Sequence, residues 1–201
     1  MQNELIAVDD GHHHDSDSTD VFGFWLYIMT DCILFGCLFA TFIVLNFQGM
    51  QHGPALKNYM NLKDVLIETF VLLASNFTFC LAFLSLYKKR IGLVQAWLIV
   101  TFLLGAGFIF IEVSEFIHLA HEGFKWDISA QASSFFTLVG THGLHVTFGL
   151  LWILIMIAQL PMLRQAPEVA MRRMTYLGLF WNFLDIVWIF VFTIVYLTGS
   201  M

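Results

Sequence analysis

Residues 91–119 read IGLVQAWLIVTFLLGAGFIFIEVSEFIHL, 29 positions with no Lys, Arg, Asp or Pro and with two Glu only near the end. An apolar run of this length is too long for a buried strand and lacks the alternation of a half-buried one. It fits a helix crossing about 30 Å of hydrocarbon, which needs about 20 residues. Lipid offers no partner to a backbone N–H or C=O, so the run must satisfy its own hydrogen bonds as a helix.

Four more runs of the same kind lie outward from it, at 21–47, 65–87, 133–160 and 174–197. The polar breaks between them hold Pro54, Pro161 and Pro167 at or within their edges. The sequence therefore predicts an all-α integral membrane bundle of five transmembrane helices. Composition agrees: 59% of the 201 residues are hydrophobic and 12% charged, against about half and a quarter in soluble domains.

The formal net charge of −6 comes from the first 20 residues, with Glu4, Asp9, Asp10, Asp15, Asp17 and Asp20 and no Lys or Arg. This segment reads as a disordered, acidic tail preceding a membrane domain at 21–201; His12, His13 and His14 within it are solvated on this reading. It lacks the basic start and early apolar run of a cleaved signal. No basic stripe exists, which excludes nucleic acid as a partner. Cys32, Cys37 and Cys80 lie in apolar runs without CxxC spacing and read as small hydrophobes.

Five spans put the termini on opposite sides. One side carries Lys88, Lys89, Arg90, Arg164, Arg172 and Arg173; the other carries Lys57, Lys63 and Lys125. The positive-inside bias predicts a cytoplasmic N-terminus and a C-terminus outside. Small pairs such as Gly36 with Ala40, Gly105 with Gly107 and Gly143 with Gly149 suit close helix approach.

Within the spans stand Asp31, Glu68, Glu112, Glu115, His118, His142, His145 and Asp185. A charge at the bilayer centre costs about 3 kcal/mol even on insertion scales, and no Lys or Arg lies inside these spans to offset it. Glu112, Glu115 and His118 recur every three residues on a slowly rotating face. Glu115 and His118 have the Glu-x-x-His spacing of di-iron bundles, but that chemistry takes the motif on two helices. His142 and His145 could share a metal that would need further ligands. We expect a buried polar network and hydrogen-bonding helix contacts instead, with no metal and no catalytic residue. Glu68, near the start of its span, reads as a solvated helix end. Asp31, roughly 15 Å into its helix, reads as functional or structurally paired.

Several segments together resemble subunit III of the haem–copper oxidases, and most closely the form in cytochrome bo-type ubiquinol oxidases. They are FGFWLYIMTDCILF at 22–35, GAGFI at 105–109 with Glu112 and Glu115, GTHGLHV at 140–146 and WNFLDIVW at 181–188. The resemblance implies five helices where longer family members have seven. It implies a carboxylate at Asp31, a Glu at Glu115, the histidines His142 and His145 and an Asp at Asp185. The family commonly has His where this chain has Asn182, so an imidazole has become an amide that does not titrate.

The resemblance further implies an accessory role in a complex that oxidises quinol, reduces oxygen to water and pumps protons. Catalytic subunit I and other subunits would be its partners, phospholipid its bound ligand and the bacterial inner membrane its place. A haem–copper centre of this family takes two axial His for one haem, one for the other and three for copper; only His118, His142 and His145 lie in these spans. The haems and copper are therefore expected in the partner chain. The alternatives are an independent membrane di-iron enzyme, subunit III of a cytochrome c oxidase, and a transporter, for which no inverted repeat is visible.

Overall fold

The computed structural model describes residues 2–49, 62–88, 90–121, 130–162 and 167–197. They form five α-helices: α1 Gln2–Gly49, α2 Leu62–Tyr87, α3 Ile91–His121, α4 Ala130–Gln159 and α5 Pro167–Val191, the last continued by a π-helical segment, Phe192–Leu197. No strand occurs among the described residues. The parts long and apolar enough to cross a membrane are Val21–Leu45, Val65–Tyr87, Ile91–Leu119, Ala130–Gln159 and Glu168–Val195. The breaks expected at 48–64 and 120–132 lie largely outside the described residues, whereas most of the one expected at 161–173 is described.

The chain divides into two units, Met1–Cys37 and Leu38–Met201. The first is the N-terminal part of α1, whose helical backbone reaches back through the acidic residues. On it Ile28, Asp31 and Phe35 are the least exposed positions, spaced by three and four, which is one stripe of a helix.

In the second unit α2 packs on α3, α3 on α4, α4 on α5 and α5 back on α2, so these four helices close a ring. Each presents a seam at alternating spacings of three and four. On α2 the seam runs through Val65, Glu68, Leu72, Ser75, Phe79, Ala82 and Leu86, with Thr78 and Ser85 buried beside it. On α3 the buried residues are Val94, Leu98, Thr101, Gly105, Phe108, Glu112 and Leu119. That is the spacing of helices packed at shallow angles.

Glycines set the closest approaches. A Cβ on Gly149 would stand 2.9 Å from Trp181 Cζ3, and one on Gly105 would stand 3.1 Å from Trp181 Cη2 and 2.7 Å from Leu150 Cδ2. The fully buried Trp181 ring of α5 thus fits against glycines of two neighbouring helices. Gly107, by contrast, has no side-chain neighbour within 4 Å of such an atom.

The link between α2 and α3 is as short as the three-residue break at 88–90 implies. Arg90 N donates to Ser85 O at 3.2 Å, and Arg90 O accepts from Val94 N at 3.1 Å. The start of α5 departs from the sequence expectation. Its helix begins at Pro167 rather than near residue 174, because proline is favourable at a helix's first position, where its missing N–H costs nothing. Arg172 and Arg173 therefore belong to the second turn of α5, and Arg173 Nη1 donates to Gln159 Oε1 at 2.6 Å, tying that end of α5 to the end of α4.

Candidate functional site

Of the polar side chains singled out above, Glu68, Glu112, His142 and Asp185 are buried on the seams of α2 to α5, and Asp31 lies on the buried stripe of α1. On α1, Asp31 is 6% exposed and takes a hydrogen bond from the hydroxyl of Tyr27, one turn earlier.

On α3 the three-residue spacing carries the group off the seam, because each step of three falls about 60° short of a full turn. Glu112 is buried, Glu115 half-buried and His118 exposed. The Glu112 carboxyl lies against the backbone of α4: a Cβ on Gly143 would stand 2.8 and 2.9 Å from its two oxygens. Neither oxygen has a hydrogen-bond partner among the described residues.

On α4 the two histidines part company. His142 is wholly buried, its ring 5.3 Å from that of Trp188 and 6.1 Å, edge-on, from Phe108. Phe108 and Trp188 are themselves 4.7 Å apart at 89°, an edge-to-face arrangement that adds to burial. His142 is thus one wall of an aromatic cluster joining α3, α4 and α5. His145 is half-buried, and its Nδ1 is 2.8 Å from Thr141 O on its own helix.

On α5 Asp185 accepts a hydrogen bond from Asn76 Nδ2 of α2 at 3.0 Å. Three residues on, Trp188 Nε1 donates to Thr69 Oγ1 at 3.1 Å, and Thr78 and Thr101 pair at 2.8 Å between α2 and α3. Cross-helix bonds of this type contribute about 0.6 to 2 kcal/mol each in membranes. Asn76 was not anticipated, since its partner lies 109 residues away.

Glu68 corrects the reading of a solvated helix end. It is 0% exposed, because rotation decides its fate rather than depth: it stands between Val65 and Leu72 on the α2 seam. Asn182 faces outward and lines a groove of about 260 Å³ with Phe79, Cys80, Thr175 and Gly178. Cys32, Cys37 and Cys80 are exposed and form no disulfide among the described residues.

Among the described residues no three His, Cys, Asp or Glu side chains come together as a metal site would require. The rival di-iron arrangement of Glu112, Glu115, His118 and the two α4 histidines is not formed, since these residues point from the seam, its edge and the outer face. What the geometry does provide is a set of inter-helix contacts distributed along the bundle.

Comparison with known proteins bears on what such a bundle is. The family model of cytochrome c oxidase subunit III matches residues 6–200. The chain is 54% identical over 196 residues to cytochrome bo(3) ubiquinol oxidase subunit 3 of Pseudomonas aeruginosa, covering 98% of this chain and 93% of that one. It is 53% identical to the protein of the same name from Pseudomonas putida, covering 94% and 90%. It is 43% identical to that of Buchnera aphidicola, covering 92% and 94%.

Proposed function

The chain belongs to the cytochrome c oxidase subunit III family, and from that premise we propose that it is the non-catalytic third subunit of a haem–copper quinol oxidase. The observation that carries the quinol assignment is its likeness, over nearly the whole of both chains, to bo(3) ubiquinol oxidase subunits 3. The complex oxidises quinol, reduces oxygen to water and translocates protons, and its haems and copper belong to the partner catalytic subunit I. The polar residues of this chain support the division of labour. Asp185 joins helices, His142 closes an aromatic cluster, and the His145 ring nitrogen bonds within its own helix.

On this reading the subunit packs on catalytic subunit I and on other subunits, covers apolar surface and holds phospholipid. Much of its own surface suits that role: Phe70, Phe77, Phe110 and Phe148 are each more than half exposed, as expected of faces meeting lipid or another membrane chain. The complex resides in a bacterial inner membrane, with the acidic N-terminal tail in the cytoplasm and the C-terminus on the periplasmic side, following the excess of Lys and Arg.

The test is to tag this chain, extract it in mild detergent and record what accompanies it. A large haem-containing partner with quinol oxidase activity is expected. Isolation of the chain alone, with stoichiometric iron, would instead revive the di-iron reading.

A further inference from the structure

The Glu112 carboxyl borders a half-open cavity of about 200 Å³ between α3 and α4, whose walls include Phe116, Gly140, Gly143, Leu144 and Thr147, with Leu144 and Thr147 at its exposed mouth. Glu112 is 4% exposed, and both of its oxygens are buried without a hydrogen-bond donor among the described residues. A buried acceptor left in that state costs about 1–3 kcal/mol, more when charged. No Lys or Arg lines the cavity, so an ion pair does not meet the need. Gly140 and Gly143 keep the space beside the carboxyl open. A Cβ on Gly143 would collide with the carboxyl itself, whereas one on Gly140 would find only Phe116, at 3.9 Å.

We infer that this cavity is a water-binding site within the membrane, in which the Glu112 carboxyl takes its hydrogen bonds from water and can exchange a proton with it. Two conditions decide whether a cavity takes water: room for about 30 Å³ per molecule, and two to four polar partners. The volume exceeds the first several times over. For the second there are the two Glu112 oxygens and Thr147 Oγ1, which donates its own proton to Gly143 O at 2.8 Å and so offers lone pairs to the cavity. Cavities lined only by apolar groups stay dry; this one has a carboxyl in its wall. The inference does not depend on which electron donor the complex uses.

Water is detected by its effect on a thiol, because a thiol must ionise to react with a methanethiosulfonate and ionises poorly in apolar surroundings. In the intact complex with Cys32, Cys37 and Cys80 replaced by Ala, the reporters are Thr147→Cys and Gly140→Cys, both at the cavity. Phe148→Cys, on the outer face one residue from Thr147, is the dry control. The probe is 2-sulfonatoethyl methanethiosulfonate applied to the complex in lipid nanodiscs. Both cavity reporters should react on the order of tenfold faster than the control, and Gly140→Leu added to Thr147→Cys should remove most of that advantage. The carboxylic acid infrared band that disappears in Glu112→Gln should shift promptly when the native complex is moved into deuterium oxide. Reporters no faster than the control, or a band that does not shift, would show a dry or lipid-filled pocket and overturn the proposal.

Discussion

The Asp185 carboxylate accepts a 3.0 Å hydrogen bond from the Asn76 amide across 109 residues of sequence, joining the two helices that close the α2–α5 ring. Asp185 Oδ1 and Asn76 Oδ1 are buried and have no donor among the described residues, so the one bond between the pair is the contact holding both groups in apolar surroundings.

A double-mutant cycle at this pair should show strong coupling. Asn76→Leu and Asp185→Leu should each cost about 1–3 kcal/mol, since each strands a buried polar partner. The double variant should cost less than their sum by at least about 0.5 kcal/mol, and Asp185→Asn should retain most stability because an amide still accepts the bond. Retention of the subunit in the complex during graded heating in detergent measures all four. Strict additivity would show that the pair does not interact.

How much of this was legible in the sequence depends on range. Span number and approximate position follow from length and apolarity alone, as 91–119 shows. The seams were present too, since Val65, Glu68, Leu72 and Ser75 repeat at three and four. Glu68 was misjudged because its depth was weighed and its rotation was not. Asn76 carries no local signal, because its partner is an aspartate three helices on, 109 residues along the chain. The start of α5 was masked by its own composition: Arg172 and Arg173 look like a loop, yet Pro167 at the first position and Glu168 in the first turn are ordinary helix openers.

Substitutions at two glycines of the sequence-predicted small-residue set should separate. Gly149→Ala places a methyl 2.9 Å from the Trp181 ring, and overpacking of that kind costs about 1–3 kcal/mol. Gly107→Ala meets nothing within 4 Å and should be neutral, or stabilising by up to about 1 kcal/mol through helix propensity. The same heating assay reads both, and equal effects would contradict the close approach of α4 to Trp181.

His142 and His145 should differ in the same sense. Removing the His142 ring opens a hole between Phe108 and Trp188, and large-to-small changes at such sites cost about 2–5 kcal/mol. His142→Ala should therefore weaken assembly strongly, with His142→Phe recovering part of it by restoring a ring. His145→Ala, which gives up a contact within its own turn, should cost under about 1 kcal/mol. Haem and copper per catalytic subunit should be unchanged in every complex that assembles. Loss of one metal with assembly intact would assign a ligand role to the altered histidine.

The last prediction concerns the chain as a whole. The three histidines of the spans are divided among an exposed position, a half-buried one and an aromatic cluster, and none meets two other metal-binding side chains among the described residues. A complex stripped of this subunit should thus keep its haem absorbance and start turnover with quinol at a normal rate. Removing the subunit uncovers apolar and lipid-holding surface on the catalytic chain, and loss of a bound partner lowers the stability of what remains by mass action. Activity of the stripped complex should therefore decay faster in detergent, and added phospholipid should slow that decay. Haem spectra, initial oxygen consumption and its decay, recorded with and without the subunit, separate the two effects. Immediate loss of the haem spectrum or of all initial turnover would mean that this chain supplies part of the redox centre, and the accessory assignment would fall.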